Sequence, residues 1–292
     1  MKAKTRARVQ MTLSAAAFGT IPLFVRALAL PSGEIALCRA VIAVALIGVC
    51  LLFSREKTAF SVIKKELPLL LFSGVAIGFN WILLFEAYRY TTVSEATLCY
   101  YFAPVLVTLA STVLFREKLG WRQIVCFVMS TLGVILIVVT GGSGAAQNRP
   151  LGIVMGLGAA MLYASVVLIN KSIKHVSGIQ RTFYQFLAAA VVLLPYVACT
   201  NGFHLDSLAW NGWVNLLVLG IFHTGSTYFL YFSSLKELSG QEASILSYID
   251  PLVAVIVSVA ALGESVTPAQ IVGGALVIGF ALWNELHPGN LQ

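Results

Sequence analysis

Charge is what this chain has least of. Asp, Glu, Lys and Arg make up 11% of its 292 residues, against 59% hydrophobic residues, and mean hydropathy is +0.88. A soluble domain carries about 25% charged residues, so composition excludes a soluble globular protein. The net charge of +7 could suggest nucleic acid, but the placement of the basic residues speaks for membrane topology instead. Catalytic signatures are missing as well. There is no H-E-x-x-H, no G-x-S-x-G and no P-loop. Gly141-Gly142-Ser143-Gly144 lacks the following Lys-Ser/Thr and the preceding strand of a phosphate cradle, and reads as a linker. Without a nucleotide-binding domain, a self-contained ATP-driven pump is excluded, and an intramembrane lipid enzyme lacks a paired catalytic set. Cys38, Cys50, Cys99, Cys126 and Cys199 all lie in apolar stretches and form no C-x-x-C pair. They read as small core residues, and no metal, redox centre or other cofactor is expected.

What is present is apolar sequence in long runs. At about 20 residues per span, the chain fits ten helices. Hydropathy and turn signals place them at 9–28, 34–53, 67–88, 93–115, 121–140, 151–170, 179–199, 209–233, 241–262 and 268–286. The expectation is an all-α polytopic membrane protein in the cell's inner (plasma) membrane. Lys2, Lys4, Arg6 and Arg8 run directly into a full-length first span, which reads as a retained helix rather than a cleaved signal. Of the 19 Lys and Arg residues, Arg26, Arg89 and Arg149 fall on one side of the predicted membrane. Arg39 lies within a span, and all the others fall on the opposite side with the N-terminus. The positive-inside rule then makes both termini cytoplasmic.

The chain also reads as one pattern written twice. Shifted by 147 positions, Gly78 falls on Gly225, Phe85 on Phe232, Glu95 on Glu242, Tyr101 on Tyr248, Pro104 on Pro251, Glu117 on Glu264, and Gln123-Ile124-Val125 on Gln270-Ile271-Val272. Two five-helix units are expected, 9–140 and 151–286, joined by a linker at 141–150. Five is odd, so the second unit enters the membrane inverted, the arrangement of alternating-access secondary transporters with a midplane site.

The matched helices share devices. Thr92-x-x-Glu95 and Ser239-x-x-Glu242 fit the S/T-x-x-E capping box, which is the first reading of both Glu residues. Thr267-Pro268-Ala269-Gln270 is another helix start. Pro104 and Pro251 lie mid-span, where each removes a helix hydrogen bond and kinks the chain. They are candidate hinges around a shared cavity. Gly74-x-x-x-Gly78 and Gly152-x-x-x-Gly156 suit close packing of helices within the molecule. Glu86 and Arg89 are expected to pair at i, i+3. Glu34 and Glu285, at span ends, are expected to be solvated or interfacial.

Residues 87–107 (AYRYTTVSEATLCYYFAPVLV), Glu117 in FREKLGWRQ, the second copy SSLKELSGQEASILSYIDPLVA, and Glu264 before TPAQIVGGALVIG resemble an EamA-type member of the drug/metabolite transporter superfamily. The resemblance covers nearly the whole chain. It implies ten helices around a central cavity, with 121–140 and 268–286 peripheral, and export of small metabolites such as amino acids. Arg39 resembles an arginine common in the second span of the family. Asp250 departs from the commoner pattern, and its repeat mate is Ala103.

Asp250 is the first candidate for chemistry. A mid-span Asp costs about 2.5–3.5 kcal/mol to insert, so it faces a cavity or a partner. It could bind a substrate ammonium, carry a coupled proton, or pair with Arg39. Arg39 could hold a carboxylate in bidentate fashion, cap a helix end, or neutralise Asp250. His223 is a candidate proton relay, with a hydrogen-bonded structural histidine as the plain alternative. Asn80 and Trp81, with their repeat mates Thr227 and Tyr228, are candidate cavity walls, joined by Tyr100, Tyr101, Tyr163 and Tyr248; packing alone would explain any one of them. The partners expected are a small polar or zwitterionic solute and the bilayer, not nucleic acid, with the protein a monomer or weak dimer. The expected function is secondary transport, with an ion or small-solute channel as the alternative.

Overall fold

Apolar runs broken by proline and glycine dictate helices, and the computed structural model is all-helical among its described residues, which are 2–53, 58–114, 120–140, 148–235, 237–238 and 240–286. The elements are α1 (Lys2–Gly19), α2 (Ile21–Arg26), α3 (Ser32–Phe53), α4 (Phe60–Tyr90), α5 (Val93–Tyr100), α6 (Ala103–Leu114), α7 (Trp121–Thr140), α8 (Arg149–Ser172), α9 (Gly178–Cys199), α10 (Trp210–Leu217), a π-helical segment (Val218–Ser226), α11 (Thr227–Leu235), α12 (Gly240–Ser247), α13 (Ile249–Ala260) and α14 (Pro268–Leu286). Residues 205–207 add one 3₁₀ turn.

Among the described residues, six stretches are long and apolar enough to cross a membrane: 32–53, 61–90, 93–111, 121–140, 149–172 and 178–199. Shorter apolar helices cover 249–260 and 268–284. The sequence predicts continuous helices where the chain is interrupted. The first span divides at Thr20, before Pro22. The fourth divides at Tyr101–Phe102 and the ninth at Tyr248, each two or three residues before the matched prolines Pro104 and Pro251. Proline cannot donate its helix hydrogen bond and its ring crowds the preceding turn, so here the kinks become breaks.

Packing relies on small residues, as it must where lipid is as apolar as leucine. A Cβ on Gly133 would lie 2.6 Å from the Gly273 carbonyl oxygen, and one on Gly273 would lie 2.7 Å from that of Gly133. This close crossing joins α7 to α14. Gly78 seats α4 against Ala189 and Leu193 of α9, and Gly156 seats α8 against Ala96 and Cys99 of α5. Gly19 brings α1 against Val253 and the backbone of Asp250. Of the cysteines, Cys99 and Cys126 are buried, Cys38 is partly buried, and Cys50 and Cys199 are exposed. The core reading therefore fails for the last two, which lie on the outer faces of α3 and α9.

Candidate functional site

The three arginines set apart by topology, Arg26, Arg89 and Arg149, are tied down together with one end of the bundle. Arg26 donates to the carbonyls of Tyr88 (2.8 Å) and Thr91 (2.7 Å) and pairs with Glu264 at 3.0 Å. Glu264 also accepts from the backbone N–H of Val93 at 2.9 Å and of Ser94 at 3.4 Å. It thereby caps the positive end of α5, with its side chain 7% exposed. The hydroxyls of Ser94 and Ser258 share a hydrogen bond of 2.5 Å just beneath. Arg89 donates to the Leu30 carbonyl (2.8 Å) and pairs with Glu86, as its spacing predicts.

Glu95 corrects the capping-box reading in part. Thr92 accepts from the Glu95 N–H at 3.1 Å, as a cap should. The Glu95 carboxylate, however, does not turn back to Thr92. It takes Arg149 Nε at 2.9 Å, Gln270 Nε2 at 2.6 Å and the Thr91 hydroxyl. A buried carboxylate gains more from a guanidinium than from one backbone amide. In the second copy, Glu242 pairs with Lys4 (3.1 Å) and Arg8 (2.7 Å). Ser239, Glu117 and the linker at 141–147 lie outside the described residues. Glu34 was expected at a wet span end. It is instead fully buried, and it accepts from the His204 N–H at 2.8 Å.

At this latched end α5 packs along α13. Among the described residues no comparable packing joins α6 to α12, which continue the same two chain segments towards the opposite end.

Between the ends lie the charged candidates. Arg39 is 4% exposed. Its Nε donates to Thr224 Oγ1 at 3.1 Å, and its guanidinium sits 4.7 Å from the centroid of Trp81 and 6.0 Å from that of Phe85. Asp250 is half-buried and accepts from the Tyr101 hydroxyl at 2.5 Å. Among the described residues no ion pair joins Arg39 to Asp250. Trp81 stacks on Phe186 (5.2 Å), which meets Tyr228 (5.4 Å). Tyr101 meets Tyr248 (6.1 Å) and Tyr100 (5.8 Å), and Tyr100 meets Tyr163 (5.5 Å). Trp81 and Phe85 thus lie against the cation, and Tyr101 against the anion.

Two further candidates, Asn80 and His223, bond backbone carbonyls. Asn80 is buried and donates to the Ala159 carbonyl at 2.6 Å, tying α4 to α8. His223 is buried, donates from Nδ1 to the Val218 carbonyl (3.2 Å), and meets Thr20 through Nε2 (2.8 Å). It joins the α1–α2 break to the π-helical segment. Thr20 and Thr224 were missed by sequence reasoning. The nearest signal was His223-Thr224, side by side in an apolar span.

The model of the EamA-like transporter family matches residues 7–139 and again 150–284. The chain belongs to the EamA-like transporter family. The EamA chain is 33% identical to the uncharacterized transporter YxxF of Bacillus subtilis, over 87% of this chain and 81% of that one. It is 27% identical to a protein of Streptantibioticus cattleyicolor named as a probable terminal-alkyne amino-acid exporter, over 76% and 74% of the two chains. A crystal structure superposes with a TM-score of 0.65 over 96% of each chain at 18% identity, a likeness of fold. This EamA protein is accordingly a multi-pass membrane transporter of the drug/metabolite transporter superfamily.

Proposed function

We propose that this protein exports small zwitterionic, amino-acid-like metabolites by alternating access, as a secondary transporter. The observation that carries the reading is the pair Arg39 and Asp250, opposite charges within the bundle that are held by Thr224 and Tyr101 and, among the described residues, form no direct ion pair with each other. Charges held inside a membrane are costly and mark solute or ion pathways. A zwitterion answers both, its carboxylate on Arg39 and its ammonium on Asp250. Trp81, Tyr228, Tyr101 and Tyr248 form the walls, and Pro104 and Pro251 mark the hinges. The exporter name of the Streptantibioticus relative favours the same solute class and direction.

In this reading the two five-helix units, 9–140 and 151–286, are inverted repeats in a ten-span protein with both termini in the cytoplasm. The latched end, with Arg26, Arg89 and Arg149, then faces outward and is closed. The end towards which α6 and α12 run is open to the cytoplasm. Exposed Trp121 and Trp210 suit the two membrane interfaces. Tyr163, 42% exposed although it meets Tyr100, suits the wall of the open side.

The test is unbiased profiling of metabolites in the medium of cells expressing wild type or Asp250→Asn at equal membrane levels. Amino-acid-like compounds enriched by the wild type alone support the reading. Equal enrichment by both proteins removes Asp250 from the mechanism, and no enrichment by either contradicts export.

A further inference from the structure

The π-helical segment is one place where the two copies of the repeat part company. Residues 218–226 take the wide turn, whereas their mates at 71–79 lie inside the uninterrupted helix α4. π-helical turns are rare and frequent at functional sites, mostly as single-turn bulges; this one runs for nine residues. Here side chains secure it. Thr224 Oγ1 donates to the Leu219 carbonyl at 3.1 Å and Thr227 Oγ1 to the Phe222 carbonyl at 3.0 Å, each reaching back five residues. The π turn and its bonds set the direction of the Thr224 hydroxyl.

That direction matters for Arg39. The hydroxyl has one hydrogen, and it is committed to Leu219. Towards Arg39 Nε, 3.1 Å away, Thr224 can therefore only accept. It is a neutral acceptor, so it fixes the guanidinium without cancelling its charge. A guanidinium offers a carboxylate two bidentate edges, the side edge Nε–Nη and the end edge Nη1–Nη2. Thr224 occupies Nε and removes the side edge. Trp81 covers a face at 4.7 Å. The end edge is what remains, and among the described residues no protein acceptor bonds it.

The geometry points to Thr224 as a specificity-determining positioning residue: from its π turn it presents the end edge of Arg39 to a planar carboxylate on the solute. The inference rests on the assignment of Arg39 to the solute site. It adds that the carboxylate is read end-on, and that a solute lacking one is rejected because the buried cation would stay unpaired.

Trp81 supplies the readout, because it stacks on the guanidinium. In a variant with Trp121, Trp210, Trp213 and Trp283 replaced by Phe, purified into nanodiscs, acetate is titrated against Trp81 fluorescence, with methylammonium as the control cation. A saturable response to acetate is expected and none to methylammonium. Thr224→Val, which keeps the shape and deletes both hydrogen bonds, is expected to weaken acetate at least tenfold. Thr224→Ser, which keeps the hydroxyl, is expected to restore it to within threefold. Arg39→Gln abolishes the response. Wild-type affinity in Thr224→Val, failure of rescue by Thr224→Ser, or no acetate response at all would overturn the inference. Because the probe is acetate and the readout is binding, a failure of amino-acid export in cells would strike the transport reading alone.

Discussion

Replacing Glu264 by Gln removes one charge from the latched end and little else. The wild-type carboxylate accepts from the Val93 and Ser94 N–H groups at the start of α5 and pairs with Arg26. A hydrogen bond to a charged group contributes about 1.5–3 kcal/mol against about 0.5–1.5 for a neutral one, so the Val93 bond loses about 1–1.5. Loss of the anion at a helix N-terminus adds about 0.3–1. Arg26 is 31% exposed, so its share is screened to about 0.5–1. The sum is about 1.8–3.5 kcal/mol against the closed latch, or an increase of roughly 20- to 300-fold in the open-to-closed ratio at about 1.4 kcal/mol per tenfold. The assay is oxidative cross-linking of a Ser94→Cys/Ser258→Cys pair, whose wild-type hydroxyls lie 2.5 Å apart, with the five native cysteines replaced. The pair should cross-link readily with Glu264 present and more slowly with Glu264→Gln. An unchanged rate in a variant that remains folded would refute the argument that this carboxylate holds α5 to the end of α13.

The other predictions concern packing, buried charge and the central acid. Gly133→Leu should overpack the α7–α14 crossing by about 1–3 kcal/mol or more and lower the thermal unfolding temperature, whereas Gly279→Ala, with nothing within 4 Å of the new Cβ, should not. Arg149→Gln leaves Glu95, 2% exposed, as an uncompensated charge. It should cost about 3–5 kcal/mol, while Arg149→Met with Glu95→Leu should recover much of that loss; unfolding in a nanodisc reads both. Asp250→Asn should keep the wild-type unfolding temperature and lose transport, and retained flux in a folded variant would show that Asp250 takes no part.

The helical class was legible because nothing but helix satisfies backbone groups across such long apolar runs. The matched prolines were legible too, although the sequence could not show that they end helices rather than bend them, which depends on neighbours filling the gap. Arg39, Trp81, Asp250 and Tyr101 were nominated from charge, depth and repeat register, and the structure supplies what the sequence lacked: Arg39 and Asp250 each have a partner, and neither is the other's. Glu34 and the carboxylate of Glu95 were misread because the residues that bury them, His204, Arg149 and Gln270, lie far off in sequence. Thr224 was invisible because a π turn leaves no trace in hydropathy, and its importance comes from the arginine across the interface.

The most direct test of the central claim is counterflow in proteoliposomes loaded with the twenty standard L-amino acids, with labelled amino acids added outside. Alternating access predicts uptake that saturates, is stimulated by amino acid on the far side, and is lost in both Asp250→Asn and Arg39→Gln. Flux that rises without saturation and ignores the far side would be that of a channel, and flux indifferent to both substitutions would contradict a site built on this pair of charges.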